Sequence, residues 1–246
     1  MPRASASRKA GVLFLAAGLA VAWSVRMEPL PVTEAMAPSR LQALVAEGER
    51  LWIMSADPSN PVACATCHRD PAKTRGWAAS FPKFKPLPPP HARVMTLLQA
   101  NAEAVERHYR LSDPLPAATA ITAYLTSLGA DVAISPGISE GQPVFPARMR
   151  KLAESVARGG RLYARKCNRC HEAAVVALAV TAFPRVADGR AESLETLLEG
   201  HHIVAPPLKW DGAPMADIIA HLSSRAAGRT IGDLSYRTSQ KRKEGS

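Results

Sequence analysis

Apolar residues recur with the same spacing in two segments of the chain, residues 41–52 and 152–163. The segments read LQALVAEGERLW and LAESVARGGRLY, and each begins a similar half of the sequence. Positions i, i+4, i+7, i+10 and i+11 lie on one face of an α-helix, so we predict a helix in each segment. The matched residues are Leu41 and Leu152, Val45 and Val156, Gly48 and Gly159, Leu51 and Leu162, and Trp52 and Tyr163.

A second pair of amphipathic segments closes the two halves. Residues 116–129 read PAATAITAYLTSLG and residues 214–224 read PMADIIAHLSS, and in both the large apolar residues share one helical face. Between the helices of each half, SFPKF (residues 80–84) recurs as AFPRV (residues 182–186) in a proline-interrupted loop. Because neither half shows sustained β alternation, we predict an all-α fold of two tandem domains.

The repeat also sets the predicted domain boundaries. We place the first domain at residues 38–133 and the second at residues 149–228. The Pro, Gly and Ser content of residues 134–148 indicates a linker between them. Residues 229–246 are polar and basic, which is typical of a terminal tail.

The N-terminus has the pattern of an export signal. Arg3, Arg8 and Lys9 precede an uncharged, mostly apolar run over residues 11–25, and Ala20-Val21-Ala22 offers a cleavage site with small flanking residues. This run is shorter than the roughly 20 residues that a membrane span needs. We therefore predict a signal peptide over residues 1–22 and a periplasmic protein. The alternative is an uncleaved segment that anchors the chain to the membrane, since Trp23 directly follows the site.

Composition narrows the class of partner. The formal net charge is +10 at pH 7, which favours acidic partners or anionic ligands. Aromatic residues make up only 5% of the chain, and no stripe interleaves basic with stacking side chains. Nucleic acid is therefore not an expected partner.

All four cysteines lie in two motifs of identical spacing, CATCH at residues 64–68 and CNRCH at residues 167–171. Export permits disulfides, but a redox Cys-x-x-Cys is usually found in a thioredoxin-like βαβ pattern, which is missing. One zinc ion shared by both pairs would leave the two histidines unexplained. Cys-x-x-Cys-His is the attachment motif of c-type haem. We predict thioether attachment at Cys64, Cys67, Cys167 and Cys170, with His68 and His171 as the proximal iron ligands.

On these motifs each half resembles a class I cytochrome c domain, and the resemblance spans roughly residues 38–228. It implies two haem c groups, each enclosed by a few helices. It also implies that a Gly-x-x-Leu-aromatic helix crosses the last helix of its half beside the haem. The matching residues are Gly48, Leu51 and Trp52 against Tyr124 and Leu125, and Gly159, Leu162 and Tyr163 against His221 and Leu222.

The sixth iron ligand departs from the family pattern, which usually supplies a methionine from a loop before the last helix. In the second half this loop holds no methionine, and Met215 lies on an apolar helix face, where we expect it in the core. We therefore expect His202, or alternatively His201, on the distal side of the iron.

In the first half, His108 stands at a similar distance from the last helix and is the predicted distal ligand. Met95 is its main alternative. His91, Met54 and an open axial position also stay open. We expect His221 to pack on the last helix in the place that Tyr124 holds in the first half.

These features favour an exported di-haem cytochrome c that transfers electrons between protein redox partners. No Ser-His-Asp set, pair of acid/base carboxylates or phosphate loop stands out, so a carrier is favoured over an enzyme. One alternative is sulfur-compound oxidation, since the tandem layout with FPKF after the first motif is similar to the di-haem subunit of the Sox thiosulfate-oxidising system. That family uses a distal cysteine, and this chain has no fifth cysteine. Another is a sensor or gas-binding cytochrome, which would need an open axial site.

Overall fold

The four predicted helices are the longest elements in the computed structural model, which describes residues 37–88, 92–171, 178–201 and 207–232. The fold is predominantly helical. Along the chain the elements are α1 (Ala37–Ile53), α2 (Cys64–Cys67), α3 (Pro71–Arg75), α4 (Trp77–Ser80), β1 (Lys83–Lys85), β2 (Arg93–Met95), α5 (Leu97–Tyr109), α6 (Leu115–Leu128), α7 (Pro146–Lys166), β3 (Arg185–Ala187), β4 (Arg190–Glu192), α8 (Leu194–Glu199) and α9 (Ala213–Ala226).

Proline and glycine mark the ends of the long helices, as the sequence predicts. Pro114 caps the start of α6, and the N–H of Gly129 donates to the carbonyl of Leu125 at its end. α7 and α9 both carry a proline in the first turn, where a missing N–H costs no hydrogen bond. α7 begins at Pro146, so the last residues of the predicted linker are already helical.

The two repeats use the same helix crossing, with α1 packed on α6 and α7 packed on α9. A Cβ at Gly48 would overlap the carbonyl oxygen of Ala120 and lie 2.8 Å from the Cβ of Tyr124. A Cβ at Gly159 would likewise overlap the carbonyl oxygen of Asp217. Only glycine permits this close approach of two helix backbones.

The aromatic residues predicted beside these glycines are in contact. The rings of Trp52 and Tyr124 have centroids 6.1 Å apart, and those of Tyr163 and His221 are 5.6 Å apart. His221 therefore occupies the place of Tyr124, as predicted. Both crossings implied by the resemblance are confirmed.

The second crossing also contains a buried carboxylate. Asp217 on α9 is 5% exposed, and it accepts two hydrogen bonds of 2.8 Å from the guanidinium of Arg158 and one of 2.5 Å from the hydroxyl of Ser155. This bidentate ion pair is of the stronger kind, because both partners are charged and the geometry is fixed. It raises the pKa of Arg158. α7 and α9 are thus joined by polar as well as apolar contacts.

The prediction of helices alone missed two short antiparallel hairpins, one in each repeat. β1 pairs with β2, and β3 pairs with β4, each over three residues. Strands this short show too few positions for an alternating pattern. Each hairpin leads into a helix with a side-chain cap, Thr96 for α5 and Ser193 for α8. The middle of each half therefore contains a β-hairpin and a helix as well as loops.

The two repeats share parts of their core. The side-chain amide of Gln99 on α5 donates to the backbone carbonyls of Trp210 and Gly212, at 2.8 and 3.1 Å. Val94 of the first repeat packs with Leu152 and Ala220 of the second. The described residues, from 37 to 232, all belong to one compact unit. The boundaries at residues 38–133, 134–148 and 149–228 stay predictions.

Residues 1–36 and 233–246 lie outside the described part, and with them the predicted signal peptide and most of the predicted tail. Among the described helices, none is both long and apolar enough to cross a membrane.

The glycine crossing gives a first prediction. Gly48→Ala forces α1 away from the backbone of α6, which we expect to cost about 1–3 kcal/mol of unfolding free energy, as overpacking does. Gly76→Ala is the matched control, because a Cβ there meets nothing within 4 Å. Urea unfolding of the two variants tests this, and equal stabilities would contradict the crossing.

Candidate functional site

The first cysteine motif forms a single helical turn that Tyr109 fixes in place. The hydroxyl of Tyr109 donates to the carbonyl of Leu51 and accepts the backbone N–H of Cys64 at 3.3 Å. The same oxygen lies 3.4 Å from the sulfur of Cys64. One phenol thus joins α1, α2 and the end of α5. Burial raises the pKa of the Cys64 thiol, so the thiol is held in its neutral form.

His68 follows this turn and contacts two tryptophans, whose own rings have centroids 6.0 Å apart. Its ring stacks on Trp52 with centroids 5.9 Å apart and meets the edge of Trp77 at 4.8 Å. Burial, and then the charge of Lys85, lower the pKa of His68. A neutral imidazole is the form that binds a metal.

A cavity of about 580 Å³ opens beside this motif. Its size lies within the range of about 300–1,000 Å³ typical of small-molecule and cofactor sites. Cys64, Cys67 and His68 line one part of it, and apolar residues of α5 line another. Phe81, Trp77 and Trp52 add aromatic surface. The cavity therefore suits a large, mainly apolar group that can reach both thiols.

The predicted distal ligands of the first half differ in their positions. His108 is at the end of α5 and lines the cavity together with His68. The side-chain amide of Asn60 donates to the carbonyl of His108, which holds this helix end near the start of the cysteine motif. Met95 is 0% exposed and is not among the residues that line the cavity. Met54 is 57% exposed, and His91 lies outside the described residues.

The second cysteine motif follows the end of α7. The N–H of Cys167 donates to the carbonyl of Tyr163 at 2.8 Å, and the N–H of His171 donates to the carbonyl of Cys167 at 3.0 Å. The hydroxyl of Tyr163 donates to the carbonyl of His171 at 2.8 Å. Burial raises the pKa of the Cys167 thiol. As in the first half, a tyrosine hydroxyl holds the motif.

The rings of His171 and His201 lie close together beside the second motif. Their ring centroids are 6.0 Å apart and their planes are inclined by 44°. Two metal–nitrogen bonds of about 2.0–2.1 Å, the length found at zinc, plus the distance from each nitrogen to its ring centre give a centroid-to-centroid spacing of this order. The spacing of the two rings therefore matches that of a pair that binds one metal. His202, the other predicted ligand, lies outside the described residues. Met215 is fully buried in the core, as predicted.

The arrangement of the cysteines favours attachment of a cofactor over the other two interpretations. All four cysteines are free thiols. Within the described ranges, no three His, Cys, Asp or Glu side chains come together to hold a metal ion on their own. A zinc site shared by the two pairs is thus not formed there, whereas each pair keeps its histidine beside it. This chemistry fits haem c, for which the two thiols of a motif would supply the points of attachment.

The fold is similar to that of a known protein. No family model matches the chain, and no curated protein matches it. Among solved structures, a chain of SoxXA from P. pantotrophus superposes with a TM-score of 0.60 and 16% sequence identity. The match covers 78% of this chain and 76% of that one. It supports a distant cytochrome c-like fold.

Two parts of the first site were missed by sequence reasoning. Tyr109 directly follows His108 in the chain, but nothing in the sequence shows that its hydroxyl reaches Cys64. Lys83 also lines the cavity. Its signal was present, because SFPKF and AFPRV place a basic residue at the same point of both repeats.

Removing the hydroxyl of Tyr109 gives a second prediction. Tyr109→Phe leaves the N–H of Cys64 without its acceptor, and an unsatisfied buried group costs about 1–3 kcal/mol. We expect lower stability and less cofactor attached at the first motif. The yield of covalently modified chain in mass spectrometry measures this. Tyr124→Phe is the control, because Tyr124 also contacts Trp52 but bonds to neither cysteine.

Proposed function

We propose that the protein is an exported di-haem cytochrome c that transfers electrons between redox partners. The observation that carries this proposal is the cavity of about 580 Å³, with Cys64, Cys67 and His68 in its wall. A large apolar cavity that two thiols and an imidazole share has the chemistry of a covalently bound porphyrin. The likeness to a SoxXA chain supports it through the fold.

His68 and His171 would bind iron on the proximal side. On the distal side we assign His201, because its ring centroid lies 6.0 Å from that of His171, and His108, because it lines the same cavity as His68. His202, the ligand predicted first from the sequence, is here the alternative to His201. Ligation by two histidines gives a lower reduction potential than ligation by histidine and methionine.

When bound, haem would supply one-electron chemistry between ferrous and ferric iron. The residues around it would position it and exclude water. Trp52 and Trp77 contact the ring of His68 and would hold it in place. The fixed geometry suits electron transfer, in which no bonds to a substrate form.

Partners and location follow from charge and from the N-terminal pattern. Without Arg3, Arg8 and Lys9 the exported part keeps a net charge of +7 (10 minus 3), which would steer an acidic redox protein by long-range attraction, so we expect association to weaken with salt. The signal over residues 1–22 would deliver the chain to the periplasm, or anchor it there if uncleaved.

A second candidate function is that of a haem subunit of a sulfur-compound oxidising enzyme. The fold likeness to a SoxXA chain favours it. The lack of a fifth cysteine counts against chemistry at a distal thiol, since all four cysteines belong to the attachment motifs. We therefore rank this function below electron transfer.

The central test counts haem per chain. Expressed with cytochrome c maturation proteins, the parent should carry two covalent haems in mass spectrometry. The double variants Cys64→Ala/Cys67→Ala and Cys167→Ala/Cys170→Ala should carry one each, because each motif supplies both thioethers of its own group. A parent chain without covalent haem would disprove the proposed function.

The distal ligands are tested separately. Near-infrared magnetic circular dichroism distinguishes bis-histidine iron from histidine–methionine and from high-spin iron. We expect two bis-histidine haems, and His201→Ala should convert one of them to a high-spin form. His221→Ala serves as the control, because His221 packs on Tyr163. An unchanged spectrum for His201→Ala would reassign the ligand to His202.

A further inference from the structure

Four cations line the cavity beside the first cysteine motif: Lys73, which pairs with Asp70, and the three residues Lys83, Lys85 and Arg148. Within the described part of the chain, these last three residues belong to no ion pair. The cavity wall thus carries positive charge that no ion pair neutralises, and Glu103 acts on Lys85 only at a distance.

Lys83 is the most enclosed of the three. Its ammonium donates to the hydroxyls of Ser80 and Ser139, at 3.0 and 3.1 Å, and lies 4.5 Å from the ring centre of Phe81. Burial, and then the charge of Lys85, lower the pKa of Lys83 to about 8. Burying a charge without a counter-ion is costly, so such a group is normally paired.

The second repeat shows how the same position is neutralised. Lys83 of SFPKF corresponds to Arg185 of AFPRV. Arg185 lies opposite Glu192 in its hairpin and forms an ion pair with it at 2.7 Å. Lys83 lies opposite Met95 in the first hairpin. Met95 stands where Glu192 stands in the second repeat, so the partner strand supplies no counter-ion to Lys83. Its ammonium can therefore pair with an anion from outside the chain.

We propose that Lys83, Lys85 and Arg148 bind the propionate carboxylates of the haem held by Cys64 and Cys67. This inference rests on the proposed function. A porphyrin of this type carries two propionates, and Lys or Arg side chains are their natural charge partners. The cavity that these cations line is the one that both thiols reach.

The three cations come from both repeats of the chain. Lys83 and Lys85 belong to the hairpin of the first repeat, whereas Arg148 lies in the first turn of α7, the first helix of the second repeat. Ser139, which accepts from Lys83, lies in the segment between the repeats. Carboxylates bound here would therefore tie α7 to the first haem site.

The test compares Lys83→Met with the conservative Lys83→Arg and with Lys151→Met. Lys151 is a matched control, because it is an exposed lysine on α7 whose ion pair with Glu154 is solvent-exposed. Arg148→Leu, at an exposed position, is a second variant should Lys83→Met fold poorly. Each is made in the full chain with haem attached, after mass spectrometry has confirmed two haems.

Two readouts are expected to move together in Lys83→Met. The resonance Raman bending mode of the propionates should shift, because a charge-assisted hydrogen bond is lost. The reduction potential of the first haem should become more negative, because losing a nearby cation favours the more positively charged ferric form. Lys83→Arg should keep both readouts near those of the parent, and Lys151→Met should leave both unchanged.

The outcomes separate this inference from the function on which it rests. If the parent chain carries no haem at Cys64 and Cys67, both the propionate assignment and the proposed function are overturned. If haem is bound at these cysteines, and both Lys83→Met and Arg148→Leu keep the Raman mode and the reduction potential of the parent, only the propionate assignment is overturned. Equal shifts in Lys83→Met and Lys151→Met would also overturn it, since they would reflect net charge.

Discussion

The close contact of a glycine with a helix carbonyl is the constraint on which the rest of the structure depends. Gly48 lets α1 approach α6, and Gly159 lets α7 approach α9. Each contact fixes the direction in which the chain leaves its first helix, and that direction determines where the cysteine motif falls. It also brings an aromatic residue, Trp52 or Tyr163, next to the motif histidine or to its carbonyl. A small core with few large apolar residues cannot absorb a change in the spacing of the two helices at such a point.

The long helices could be predicted because their apolar faces extend over three turns or more. The crossings could be predicted because glycine and aromatic residues keep their places in both halves. The hairpins could not, because three residues give no readable period. α5 was not among the predicted helices, because polar and small residues such as Gln99, Asn101 and Ala102 make up much of its buried face.

The two Cys-x-x-Cys-His motifs were visible in the sequence because their residues are adjacent in the chain. The cavity was not, because it is formed by segments distant in the chain, including residues 137–149 and α5. The pairing of Lys83 with Met95 depends on strand register, which no local pattern reveals. The two sites therefore look alike in sequence and differ in charge once folded, since Glu192 neutralises Arg185 and nothing comparable lies opposite Lys83.

The core shared by the two repeats affects how the protein unfolds and how it resists proteolysis. Val94 packs with Leu152 and Ala220, and Gln99 bonds to the backbone just before α9. Opening either repeat would expose apolar surface of the other, so the described part of the chain should lose its structure as one cooperative unit. Under the proposed function, a chain that lacks haem at one motif would then be weakened throughout. Proteolysis would remove such incomplete molecules, and those that persist would be the ones with haem at both motifs.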